Sequence, residues 1–103
     1  MNKAIEDVLA ERQRQIQQEG WSATHDDEHD SGDLCCAGSA YALNAGCQIN
    51  PYMQQSLEHP PAMWPAAWDR SWWKPKDPRR DLVRAAALII AEIERMDRKA
   101  GAA

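Results

Sequence analysis

Apolar positions recur along residues 78–98 at the spacing of a single helix face. Leu82, Ala86, Ile89, Ile93 and Met96 are separated by four, three, four and three residues. Val83, Ile90 and the run Ala85-Ala86-Ala87 widen that face, so the pattern predicts a helix packed on more than one side. Its ends are marked. Asp77 is a good N-cap, Pro78 occupies the first helical position where a missing N–H costs nothing, and Asp81 faces the positive end of the dipole. Arg95, Arg98 and Lys99 before Gly101 suit the other end. About twenty residues at 1.5 Å each give roughly 30 Å of helix, the span of a small domain, around which the rest must be arranged.

Residues 3–19 predict a first helix. Asn2 is its cap and Gly20 its stop, with Ile5, Val8, Leu9, Arg12 and Ile16 along one face. A second helix is expected over about residues 32–46, capped by Asp30 or Ser31. Leu34, Ala37, Gly38, Tyr41, Ala42 and Ala45 give it a small-residue face that lets another backbone approach closely. The matching partner is the alanine-rich face of the last helix. From Gly46 to Lys76 the periodicity stops. Pro51, Pro60, Pro61, Pro65 and Pro75 exclude a long helix there, leaving room for a turn or two at residues 51–58. Thirty irregular residues are too many for a passive connector. Because Met63, Trp64, Trp68, Trp72 and Trp73 lie among them, the stretch is expected to be an ordered wrap over the helices. No internal repeat is read in it. The expectation is one all-α domain over residues 1–103: three helices with a long Pro/Trp-rich crossover between the second and third.

Composition narrows the function classes. A net charge of −4 over 103 residues argues against general nucleic-acid coating, which wants a basic surface. No apolar run approaches the roughly 20 residues that span a membrane, and the polar N-terminus has no signal-peptide core, so a cytoplasmic protein is expected. Cys35, Cys36 and Cys47 form no CxxC pair and are read as reduced packing residues.

Charge is unevenly distributed. Glu19, Asp26, Asp27, Glu28, Asp30 and Asp33 form an acidic stretch without Lys or Arg, whereas residues 69–84 hold six Lys/Arg against three Asp. The two blocks are expected to face each other, within one molecule or between two. In the acidic stretch, His25/His29 and Asp26/Asp30 are i,i+4 pairs if helical. With Asp27 they are candidate ligands for a divalent cation such as Mg²⁺, Mn²⁺ or Zn²⁺; the plainer reading is a solvated loop whose aspartates cap the flanking helices. In the basic stretch, Trp72, Trp73, Lys74, Lys76, Arg79 and Arg80 bring flat indoles and cations to a helix N-terminus, with Trp21 across from them. That is the combination a nucleotide site uses for base and phosphate. Core packing of the indoles and ion pairing of the cations is the plainer reading here too.

Three pieces together, Glu11-Arg12-Gln13-Arg14-Gln15-Ile16 running to Glu19-Gly20-Trp21 and His25-Asp26-Asp27, then Trp72-Trp73-Lys74-Pro75, then Asp81-Leu82-Val83-Arg84-Ala85 to Glu92-Ile93-Glu94-Arg95, resemble a family of small phage and prophage proteins. That family carries no activity to transfer. Arg14 to Ile16, Glu19-Gly20-Trp21 and the acidic stretch after it are also similar to the repeat domain of ryanodine receptors and its bacterial relatives. The order of helices, with carboxylates at Glu11, Glu19, Asp81, Glu92, Glu94 and Asp97, is similar to all-α nucleotide pyrophosphohydrolases of the MazG type. Those hold Mg²⁺ with ExxE and ExxD pairs. In this chain Arg84 stands where the second acid after Asp81 would be, and Asp26, Asp27 and Asp30 precede the second helix.

Pattern and resemblance lead to an expected phage accessory protein, homodimeric and leaning away from catalysis without excluding it, that binds a nucleotide or nucleotide-derived signal and counters host defence by sequestration. The alternatives are a divergent MazG-like NTP pyrophosphohydrolase using Mg²⁺ at Asp26, Asp27, Asp30 and Asp81, and a protein–protein inhibitor of a host factor.

Overall fold

The computed structural model describes residues 2–19, 27 and 31–101, and the fold is all-α. Helix α1 spans Lys3–Gln18, α2 Asp33–Ile49 and α3 Pro78–Lys99, with one 3-10 turn at Arg70–Trp72 inside the crossover. Helix α3 is central: α2 packs along one side of it and α1, more lightly, along another.

The helix starts follow from local chemistry. Asn2 Oδ1 accepts the Ile5 amide at 3.0 Å, and Asp77 Oδ1 accepts that of Arg80 at 2.9 Å. Helix α2 departs from expectation at both ends. Its N-cap is Gly32 in the left-handed region (φ +78°) with no side-chain cap bond; Ser31 does not cap it, and Asp30 lies outside the described residues. It runs three residues beyond 46, because Gly46 is tolerated inside a helix and the stop comes from Pro51, which forces Asn50 into extended backbone. Residues 51–58 are not helical: 51–53 form a turn and 54–57 are irregular, with Gln54 at φ +46°.

Leu34, Ala37, Gly38, Tyr41 and Ala45 of α2 are buried, as its small-residue face predicts. A Cβ on Gly38 would stand 3.1 Å from the Ala85 carbonyl oxygen, so glycine here sets how closely α2 and α3 approach. Between them Asp81, fully buried, accepts from Asn44 Nδ2 (2.9 Å), Gln48 Nε2 (3.3 Å) and the Lys76 amide (2.8 Å). Asn44 in turn accepts the Leu57 amide at 2.6 Å, tying both ends of the crossover to one polar knot.

The apolar stripe of α3 is the surprise. Val83, Ala85, Ala87, Leu88 and Ala91 are buried, whereas Leu82, Ile89, Ile93 and Met96 are all exposed. Helix α1 behaves alike: it buries Glu11, Arg12 and Gln15 while Ile5 and Leu9 stay exposed. Arg12 reaches Glu94 of α3 at 2.9 Å. The side of α1 against α3 and the crossover is therefore partly polar, and the strongest apolar periodicity marks a bare face.

Candidate ligand-binding cavity

Four-residue spacing organises the crossover. Pro61-Ala-Met-Trp64, Pro65-Ala-Ala-Trp68 and Asp69-Arg-Ser-Trp72 each form a turn in which the fourth residue's amide donates to the first residue's carbonyl, at 2.9, 3.1 and 3.1 Å. Proline presets the backbone in the first two turns; in the third, Asp69 accepts the Ser71 amide at 2.8 Å. Each turn advances one indole. Trp64 meets Trp68 edge-on at 5.4 Å between centroids, and Trp68 meets Trp72 at 5.7 Å. The series is a short internal repeat, P-x-x-W-P-x-x-W-D-x-x-W, where no internal repeat is expected from the helical pattern.

Tyr41 of α2 anchors the indoles. Its ring stacks on Trp73 at 4.7 Å, and its hydroxyl accepts the Lys74 amide at 3.1 Å and donates to the Trp72 carbonyl at 3.2 Å. Burial pushes its phenol pKa up, against the opposing pull of the Lys74 amide and Arg84. Trp73, buried, donates its indole N–H to the Leu57 carbonyl at 3.2 Å.

Between these aromatics and α1 lies a cavity of about 430 Å³, within the range of small-molecule sites. Tyr41, Trp64, Trp68, Trp72 and Leu88 give it apolar walls; Arg14, Lys74 and Arg84 bring cations, and Glu11, Gln15 and Glu19 line the α1 side. Arg84 lies 5.6 Å from the Tyr41 ring centroid and donates to the Lys74 carbonyl.

The α1 wall is tightly wired. Glu11, 2% exposed, accepts two bonds from Arg14 (2.7 and 2.8 Å), one from Gln15 Nε2 (3.2 Å) and one from Arg80 of α3. Burial pushes its carboxyl pKa up, but the Arg14 hydrogen bond and the charges of Arg80 and Arg14 outweigh it and hold it below the ordinary value. Arg14, whose own pKa is raised chiefly by its hydrogen bond to Glu11, also reaches Glu19 at 3.2 Å. Of the residues that line the cavity, Gln15 and Trp64 each carry a buried polar atom, Oε1 and Nε1, with no hydrogen-bond partner among the described residues.

The predicted site residues divide. Trp72, about half exposed, and Lys74 line the cavity; Trp73 stands behind its wall. Arg79 and Arg80 face a neighbouring hollow of about 440 Å³, paired with Asp7 (2.9 Å) and Glu11, and Glu11 and Arg14 belong to both hollows. Lys76 contributes its amide to Asp81. At the α3 N-terminus Asp77 accepts the Arg80 amide, and the cations that line the cavity are Arg14, Lys74 and Arg84. Trp21, His25, Asp26, His29 and Asp30 lie outside the described residues; Asp27 is exposed and pairs with Arg98 at 2.8 Å. The described ion pairs of the basic stretch therefore run to α1, not to the acidic stretch, because α1 lies alongside the start of α3.

Tyr41, Trp64, Trp68, Arg84 and the Glu11/Arg14/Gln15/Glu19 wall stand outside the expected ligand-binding set, although Trp68 and Arg84 bound the same Trp/cation stretch and Glu11 and Glu19 belong to the MazG-like carboxylates. The tetrad spacing of the tryptophans was the signal for two of them; the α1 residues converge only through the packing of α1 on α3. Among the described residues no three His, Cys, Asp or Glu converge as a metal site, no cysteine is disulfide-bonded, and no helix is long and apolar enough to cross a membrane. Comparison of the chain with models of protein families, with curated proteins and with solved structures yields no match.

Proposed function

We propose that this protein is a cytosolic binding module for a nucleotide or nucleotide-derived signal, held in the aromatic cavity. The observation that carries the proposal is the conjunction of four aromatic walls with three cations around about 430 Å³. Flat indoles take a base by stacking, and guanidinium and ammonium groups take phosphate oxygens. Lys74 sits beside the Trp72 edge of that wall, where a phosphate leaving the stacked base would meet it.

Sequestration fits better than turnover. The hydrolase alternative needs Asp81 as a Mg²⁺ ligand, but both its oxygens are engaged by buried donors from Asn44, Gln48 and Lys76. The resemblance to phage proteins gives the role its setting: withdrawing a host defence signal. A second copy of the chain is proposed to cover the bare face of α3.

A panel of mononucleotides and cyclic dinucleotides, titrated against tryptophan fluorescence and melting temperature, tests the proposal. Quenching together with a raised melting temperature, and no product in the same tube, is the expected result. A panel that moves neither signal overturns it.

A further inference from the structure

Gln15 and Trp64 both line the cavity, and each carries a buried polar atom with no hydrogen-bond partner among the described residues, an acceptor from α1 and a donor from the crossover. Both residues are buried, at 2% and 8% exposure. A buried polar atom without a partner is costly, and native proteins keep few of them. The Gln15 amide has no free choice of orientation. Its Nε2 donates to Glu11, whose carboxylate already takes Arg14 and Arg80 and can only accept. Flipping the amide would set its oxygen against that carboxylate. Glu11 therefore fixes Oε1 as the unpaired acceptor of the amide, turned away from the carboxylate.

We infer that Gln15 and Trp64 read the edge of a nucleobase stacked against the indoles, Gln15 Oε1 accepting a base N–H and Trp64 Nε1 donating to a neighbouring base acceptor. The simplest edge that offers both is an amine beside a bare ring nitrogen, as in adenine and cytosine. The aromatic walls supply affinity for any flat base; this pair supplies the requirement for an N–H. The inference rests on the nucleotide reading of the same cavity and adds the recognition of the base. A site built to hydrogen-bond its ligand rejects an analogue lacking the group, since the site's own atom is again left unpaired.

The test compares AMP with purine riboside 5′-monophosphate, and CMP with zebularine 5′-monophosphate. Each second ligand lacks the amine and so has no N–H on the base edge. Binding is followed by tryptophan fluorescence in the wild type and in Gln15→Met, which keeps side-chain length and removes the acceptor. At least one amine-bearing ligand is expected to bind about tenfold more tightly than its partner, the worth of one hydrogen bond, with that ratio falling to near one in Gln15→Met. Should Gln15→Met fail to fold, Trp64→Phe keeps an aromatic ring in the wall and removes the N–H together with part of the indole; it should weaken AMP or CMP by at least a similar factor. Equal affinity within both wild-type pairs, or a ratio unchanged by the substitution, overturns the base-edge assignment and leaves nucleotide binding standing. Absence of binding by all four ligands and by GMP and UMP overturns both.

Discussion

Glu11 joins α1, α3 and the cavity through one carboxylate, and its charge state should be visible in the stability of the whole molecule. Its pKa is held below the ordinary carboxylate value, so the unfolded chain takes up a proton at higher pH than the folded one. The resulting stability is fully present above about pH 4.5 and is lost as the pH falls through the lowered folded value. Glu11→Gln leaves Arg14 and Arg80 without their carboxylate and should cost about 2 kcal/mol at neutral pH, less than a fully buried pair because both guanidiniums are partly exposed. Melting curves of wild type and variant from pH 7 to pH 3 check this: the gap should close as Glu11 protonates. Asp7, its pKa also lowered, by Lys3 and then Arg79, adds an acid limb common to both proteins. A gap of constant size would mean that shape, not charge, is what Glu11 contributes. At this scale the sequence was least informative. Glu11, Arg14 and Gln15 read as ordinary polar residues of an amphipathic helix, and nothing local says that they face a partner helix and a cavity.

At the scale of elements, the chain announces its helices and hides how their faces are used. Asn2, Asp77 and Pro78 mark two starts, and the small residues of α2 identify its contact with α3, because caps and close approach depend on local chemistry. Which side of α3 is covered is different. Alanines and larger aliphatics surround the helix, so periodicity alone does not say whether the Leu82–Ile93 stripe or the Val83–Leu88 side meets its neighbours. The tryptophan tetrads were legible in principle: the proline-led turn repeats every four residues, a period too short to register as a structural repeat. Two glycines of α2 make the helix contact testable. Gly38→Ala gains helix propensity but drives a Cβ against the Ala85 carbonyl and Ile89; with a backbone atom as the nearer obstacle, a net loss of about 1 kcal/mol is expected. Gly46→Ala meets nothing within 4 Å and should stabilise by up to about 1 kcal/mol. Denaturant midpoints of the two variants should move in opposite directions. Equal stabilisation would show that α2 and α3 can separate at no cost.

At the scale of the molecule, the smallest dimension is 23 Å, about two helix diameters, as expected for one layer of helices with a wrap on one side. The crossover and cavity occupy the side of α3 that carries Arg84 and Leu88. By helical spacing, Leu82, Ile89, Ile93 and Met96 lie on a side turned away from it, and Ile5 and Leu9 of α1 border the same region through Ile90. These six exposed side chains present on the order of 500 Å² of apolar surface, the upper end of what a monomer leaves bare. At the α1 edge of this face Arg12 and Glu94 are already paired at 2.9 Å, so burying that edge separates no new ion pair. A second copy, turned about a two-fold axis, offers the same patch, and with its rim the pair would approach the roughly 800 Å² per partner of a stable interface. The wild-type protein is therefore expected to sediment at twice its 11.6 kDa chain mass at tens of micromolar. Ile93→Glu, at a site half exposed in the single chain, should halve that mass while leaving helical content and nucleotide-induced fluorescence change intact, since the cavity is assembled within one copy. A monomeric wild type would overturn the dimer. A dimer that survives Ile93→Glu would move the interface elsewhere and leave the bare stripe of α3 without a partner.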